Sequence, residues 1–335
     1  KLDPAAAAAD PVKTIAEAKT LADTYDQGEA KAAPGVNMRH VKLFMDGIIN
    51  APADTGAMLA PYLRNAGTDT TPKWTPGKNT GELYFPPQVL NPLLLQAVQA
   101  GLDPHLHATG DRAVRDSLNG IEYVRRQLPG NGFRPAITHA ESVDPADYPR
   151  FKALDVTANM SFQWAQQAPS TVDGTNEHLG PARFARMEPS GSIARAGGRV
   201  AYGSDWPVDP LDEFLALKIG VTRSGDPLNP HSYGPKYAGR LNADPALSRA
   251  EVLRSITLNA AEQLKLDAVA GSVEVGKFAD LIVLDQNFMQ VPEEALARNE
   301  VLLTIVGGKV VWAKAPFVGL APQVLSQASA SRSAQ

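Results

Sequence analysis

Hydrophobic positions along this chain follow two rhythms. Short apolar runs at residues 39–45, 103–107, 136–139, 156–160 and 199–203 read as strands. Between them, apolar residues three and four apart predict helices over about 12–25, 92–99, 110–126, 145–153, 190–196 and 248–263. Local chemistry supports two of the helix starts. Asp10-Pro11 offers a cap followed by a first-turn proline, and Ser248 with Glu251 makes a capping-box signature. Strands alternating with helices imply βαβ units and a parallel sheet. Beyond residue 264 the rhythm changes to short strands near 271–273, 279–284, 302–306 and 309–312, punctuated by glycine, the pattern of a small all-β element. Residues 50–90, rich in Pro, Gly and Thr, show no period and predict a long functional or disordered loop.

Five strand–helix units are legible before the β-rich end, against eight in a closed (β/α) barrel. The expected fold is therefore α/β, a TIM-like barrel incomplete at its N-terminal side. Residues 1–264 would form the barrel and 265–315 the β portion. Residues 316–335, ending in a Ser-, Ala- and Gln-rich stretch, would be a disordered tail.

Composition narrows the partners. With 335 residues and 44% hydrophobic content, the chain can bury a large core. It carries 32 basic and 36 acidic residues, formally −4, with no Lys/Arg cluster, so no nucleic-acid partner is expected. Lack of cysteine excludes disulfides, thiolate metal sites and a cysteine nucleophile. No apolar run approaches the ~20 residues that span a bilayer, so no membrane partner is expected and a soluble cytoplasmic or periplasmic protein is. The opening Lys-Leu-Asp-Pro has neither an initiator Met nor signal-peptide features, and it reads as the start of a processed or truncated product.

Candidate chemistry lies where polar residues interrupt apolar strands. Lys42, His107, His139 and Asp205 each sit in or at the end of a different strand. In an α/β barrel, such residues project from the C-terminal strand ends into one mouth. Two imidazoles and a carboxylate suit a zinc-like ion. Lys42, flanked by Val41, Leu43 and Phe44, is costly to bury unless it is paired or modified. Carbamylation would make it an anionic ligand able to bridge two cations. Each residue alone also has a plainer reading: a hydrogen-bonded packing histidine, a lysine at a strand edge, an aspartate capping a turn. Their recurrence on separate strands favours the shared site. His105 and His107 share one strand face, and either both or His107 alone would ligate; His107 alone is preferred, with His105 one layer deeper. Gly271 to Lys277 lacks the Ser/Thr and the following helix of a phosphate loop, and no Gly-x-Ser-x-Gly elbow is present.

These segments resemble a known family. His107-Ala-Thr-Gly-Asp-Arg-Ala113, His139-Ala140, Gly203-Ser-Asp-Trp-Pro-Val208 and Gly276-Lys-Phe-Ala-Asp-Leu-Ile-Val-Leu284 look like signatures of the amidohydrolase superfamily. The nearest likeness is to amidohydrolase family 3, the group of N-substituted formamide deformylase-like enzymes. Val41 to Gly47 and Thr257 to Ala261 resemble its lysine strand and its last barrel helix. The resemblance implies a barrel with one or two divalent metal ions, usually zinc, and a small β-sandwich. It implies Lys42 as carbamylated bridging ligand, His107 and His139 as ligands of one metal, and Asp205 as ligand and proton-transferring base. The family's first-strand His-x-His is not found before Lys42, where His40 is the sole histidine. The expectation is that these residues alone are inactive or need the missing N-terminal segment, supplied as a separate chain.

The resulting expectation is hydrolysis of a non-peptide C–N bond, amide or formamide, in a small-molecule substrate. Cleavage of an ester or carbamate on the same barrel is the neighbouring reading, and a metal-free scaffold is the reading from another class. Aromatic residues of the long loops, Trp74, Tyr84, Phe85, Trp164, Tyr233 and Tyr237, suggest an apolar substrate portion. Trp164 and His231 are the expected substrate contacts. A two-fold homodimer, the commonest oligomer, is the expectation for any self-association.

Overall fold

The computed structural model describes residues 2–321. In chain order its strands are β1 (His40–Phe44), β2 (Leu63–Asn65), β3 (Trp74–Pro76), β4 (Asp103–Ala108), β5 (Ala136–His139), β6 (Thr157–Met160), β7 (Arg199–Tyr202), β8 (Leu281–Leu284), β9 (Val301–Val306) and β10 (Lys309–Ala313). The helices are α1 (Pro4–Ala9), α2 (Pro11–Tyr25), α3 (Pro87–Gln99), α4 (Asp111–Gln127), α5 (Tyr148–Ala153), α6 (Pro169–Val172), α7 (Thr175–Leu179), α8 (Pro181–Phe184), α9 (Ser190–Arg195), α10 (Glu213–Thr222), α11 (Arg249–Ile256) and α12 (Leu258–Gln263).

Five strands make one parallel sheet in the order β1-β4-β5-β6-β7, the arc of a TIM-like α/β fold. Its register sorts residues by face. Leu43, Leu106, Ile137, Ala158 and Val200 lie side by side across the sheet. All five belong to the main core cluster, together with Leu90, Leu93 and Leu94 of α3, Val114, Leu118 and Ile121 of α4, and Ile193 of α9. Removing this apolar surface from water is the main force holding helices to sheet. The opposite face carries two rows, Lys42-His105-Ala136-Thr157-Arg199 and Phe44-His107-Thr138-Asn159-Ala201. Strand alternation thus makes one face core and the other chemical.

The N-terminal end of the chemical face is tied down by α12. Gln263 places its carbonyl 3.0 Å from His40 Nε2 and its side-chain amide 3.2 Å from His105 Nδ1. Arg134 donates to the Glu262 carbonyl at 2.8 Å, and Arg199 pairs with the Glu262 carboxylate at 2.8 Å. The C-terminal strands form a separate antiparallel sheet, β10-β9-β8.

Several elements differ from their sequence expectations. α3 begins at Pro87 and carries Pro92 inside it. The 248–263 helix is broken at Thr257 (φ −113°, ψ −93°) into α11 and α12. Residues 271–273 bend instead of forming a strand, with Gly271 at φ +87° packed against Ala261. The 50–90 loop contains the β2–β3 hairpin. α10 shows no helical period because its residues 215–220 are all buried; a helix surrounded by core has no polar stripe to betray it. Of the tail expected to be disordered, residues 318–320 form a 3-10 turn, and residues 322–335 lie outside the described residues. Among the described residues, no helix is long and apolar enough to cross a membrane.

Candidate active site at the strand ends

Where β1 leaves the sheet, Asp46 organises its neighbours. Its buried carboxylate accepts from the backbone N–H of Ala57 (2.8 Å), Thr109 (3.0 Å) and Gly110 (2.9 Å), and from the Thr109 hydroxyl (3.1 Å). One side chain therefore joins β1, the 50–90 loop and the turn that follows β4. Burial pushes Asp46 up to about 6, against those donors, each of which favours the ionised form.

His107 lies in this frame. Its Nε2 is 2.7 Å from the Gly47 carbonyl and 3.6 Å from Asp46 Oδ1, and its ring stacks on Phe44 at 4.7 Å. Simple alternation would send His139, the register partner of Ala108, to the apolar face. It does not go there. His139 and Ala140 adopt left-handed backbone (φ 75° and 45°), and the His139 ring meets that of His107 edge-on at 4.6 Å. Trp164 stacks on its other side, 5.1 Å away and within 14° of parallel, held by a hydrogen bond from its indole N–H to Asp209. The buried Nδ1 of His139 has no hydrogen-bond partner among the described residues. Burial, then His107, Lys42 and His105, push the ring down to about 2, so the imidazole is neutral, the form that binds metals.

Lys42 is pushed down to about 8 by burial, with Asp205 opposing the shift. Asp205 has a left-handed backbone (φ 56°) in the exposed loop after β7; partial desolvation raises its carboxyl and Lys42 lowers it. That loop is tied to the segment just after β6 through Ser161 Oγ to the Gly203 carbonyl (2.8 Å) and Gln163 to the Ser204 carbonyl (2.5 Å). Lys42 acts electrostatically on both His139 and Asp205. The structure therefore brings the two histidines into contact, with Lys42 and Asp205 within electrostatic reach. Among the described residues, no three His, Cys, Asp or Glu side chains are gathered in a geometry that could hold a metal ion. His105 lies one layer deeper, on Gln263. His231 sits in an exposed turn, 3.1 Å from Asp212, and does not line the cavity beside Trp164.

That cavity, about 240 Å³, is lined by Trp164, Glu141, Glu188, Asp209 and Tyr233 among others. Neither glutamate is signalled by the sequence. Glu141 follows His139 closely, but Glu188 comes from a distant loop and meets it through a backbone bond, Glu188 N–H to the Glu141 carbonyl at 2.8 Å. Burial pushes both carboxyls well above the usual range.

A sequence model described as amidohydrolase family matches residues 4–312. The chain is 24% identical over 293 residues to the putative amidohydrolase YtcJ of Bacillus subtilis, covering 87% of this chain and 50% of that protein. It is 27% identical over 237 residues to N-substituted formamide deformylase of Arthrobacter pascens, covering 69% and 40%. Among solved structures it is similar to an uncharacterized metal-dependent hydrolase from Pyrococcus horikoshii (TM-score 0.64, 22% identity, 84% of this chain and 50% of that one). Another, from Pyrococcus furiosus, gives a TM-score of 0.57 at 21% identity over 79% and 47%. At these identities the structural likeness speaks for the fold. The chain spans half or less of the length of each of these relatives.

Proposed function

The chain belongs to the amidohydrolase family, and from that premise we propose a metal-dependent hydrolase of non-peptide C–N bonds, of the amide or formamide type. The observation that carries this reading is the ring contact between His107 and His139 at the C-terminal ends of adjacent strands, with Lys42 near enough to act electrostatically on His139 and Asp205. The names of the Arthrobacter and Bacillus relatives, a formamide deformylase and a putative amidohydrolase, agree with it.

The donor set fits a divalent ion of the zinc type in part. Two imidazoles in ring contact and a carboxylate are of the ligand types such an ion takes, and the buried Nδ1 of His139 has no hydrogen-bond partner among the described residues. His107 and His139 would hold the ion, with Asp205 on its open side. A carbamylated Lys42 would join them. The lowered pKa of Lys42 favours that modification, because only the neutral amine attacks carbon dioxide, losing a proton as the N–C bond forms. Such an ion supplies Lewis acidity toward water and toward a carbonyl oxygen. Asp205 would take the proton of the attacking water and return it to the leaving nitrogen. Trp164 would keep the His139 ring from turning, and Asp46 would fix the turn that carries His107. The coordination left over, and full turnover, would need groups that this chain does not contribute.

Titrating zinc into chelator-stripped protein tests the site by calorimetry. His139→Ala should weaken binding by roughly tenfold or more; unchanged binding would refute the assignment. On a polypeptide of the relatives' full length, Asp205→Asn should lower kcat for formanilide by about 10²-fold or more. Phenyl formate measured alongside separates amide from ester cleavage. Zinc-loaded chain turning over as fast as the longer polypeptide would remove the need for further groups.

A further inference from the structure

Beside the histidine pair, with the Trp164 ring as a shared wall, lies the 240 Å³ cavity. That size is below the ~300–1,000 Å³ of pockets that take whole ligands, so it suits one substituent of a substrate. Its ionisable side chains are all acidic: Glu141, Glu188 and Asp209 line it, and no Lys, Arg or His does. Glu188 is 2% exposed, and its Oε1 has no hydrogen-bond partner among the described residues. Arg223 acts electrostatically on Glu188, but its hydrogen bonds go to the carbonyls of Met187 and Glu188 and to Asn242, and it pairs with Asp244 at 3.5 Å; among the described residues none reaches the Glu188 carboxylate. A carboxylate oxygen buried without a donor is costly, and a ligand that brings one removes the cost.

We propose that this cavity is a subsite for a protonated primary amine, so that the substrate is a small amide or formamide carrying an ammonium group at its non-reacting end. The placement of the scissile bond rests on the hydrolase reading; recognition of the cation does not. The ammonium group donates N–H bonds to Glu188 Oε1 and to the Glu141 and Asp209 carboxylates, while Trp164 and Tyr233, which also line the cavity, add aromatic surface of the kind that favours a cation. A metal ion is the poorer occupant, because no three acidic or histidine groups gather in metal-holding geometry among the described residues. Burial raises the Glu188 carboxyl, and an ammonium beside it restores the ionised form, as any close opposite charge does.

Calorimetry with benzylammonium and with benzyl alcohol, its neutral counterpart, tests the subsite. A chelator is present throughout, so that amine–metal bonding cannot contribute. Benzylammonium should bind roughly tenfold or more tightly than the alcohol, and Glu188→Gln should remove that preference. Asp209→Asn, which keeps an acceptor for the Trp164 N–H, should reduce it and serves if the first variant does not fold. Equal affinity for both probes, or a preference intact in the folded variants, overturns the proposal. Zinc titration and amine binding are read separately, so loss of one leaves the other standing.

Discussion

Lys42 is costly where it stands. It lies in β1 with its charge partly desolvated, and its folded-state pKa of about 8 is below the ordinary 10.5. A depressed pKa contributes stability that is present above 10.5 and lost as pH falls through 8. Replacing the lysine with an apolar residue of similar length removes that cost. In bicarbonate-free buffer, Lys42→Met should stabilise the metal-free protein at pH 7 by on the order of 2 kcal/mol, discounted for screening. The gain should fade toward pH 10.5. Urea unfolding at pH 7, 9 and 10.5 measures it, and a pH-independent difference would contradict the assignment. At this scale the sequence singled out Lys42, His107 and His139 as candidates because a polar residue in an apolar strand is visible locally, and Asp205 because it follows one. It did not expose Asp46, whose four donors come from two distant segments. Nor did it expose the left-handed turn at His139 that reverses the face assigned by alternation.

Among the elements, the β4–α4 connection shows how tightly the site is framed. Gly110 precedes α4, and a β-carbon there would stand 2.1 Å from the Ala57 carbonyl oxygen and 2.6 Å from its carbon. Backbone cannot yield as a side-chain tip can, so Gly110→Ala must push the 56–58 segment away from Asp46. The expected cost is about 1–3 kcal/mol, the range for overpacking a rigid site. Zinc affinity should fall with it, since the turn carrying His107 moves too. Thermal unfolding and zinc titration read the two effects; a neutral substitution would show the frame to be looser than its distances. The five parallel strands were legible in the sequence from their apolar runs. α10 and the break at Thr257 were not, one for lack of a polar stripe and the other because the helical period runs on through it.

For the molecule as a whole, Arg223 is the bolt between separate parts. It is 1% exposed and joins the C-terminus of α10 to the 187–188 loop and to Asp244. Arg223→Met would leave the buried Asp244 without its cation and take one of two donors from each of the Met187 and Glu188 carbonyls, which keep Asn242 and Ser190. Removing one partner of a buried pair costs roughly 3–5 kcal/mol, and urea unfolding should show a loss of that order. The loop bearing Glu188 should loosen, and benzylammonium binding should weaken with it. The sequence by itself determined the positions of the five parallel strands, the helix–strand alternation and the polar residues at strand ends, because side-chain period and turn chemistry act within a few residues. Only the tertiary structure decided which face His139 takes, that Trp164 stacks on it, and that Glu141 and Glu188 share one wall. Those outcomes depend on segments far apart in the chain, which meet only once burial of the apolar face has folded the helices onto the sheet.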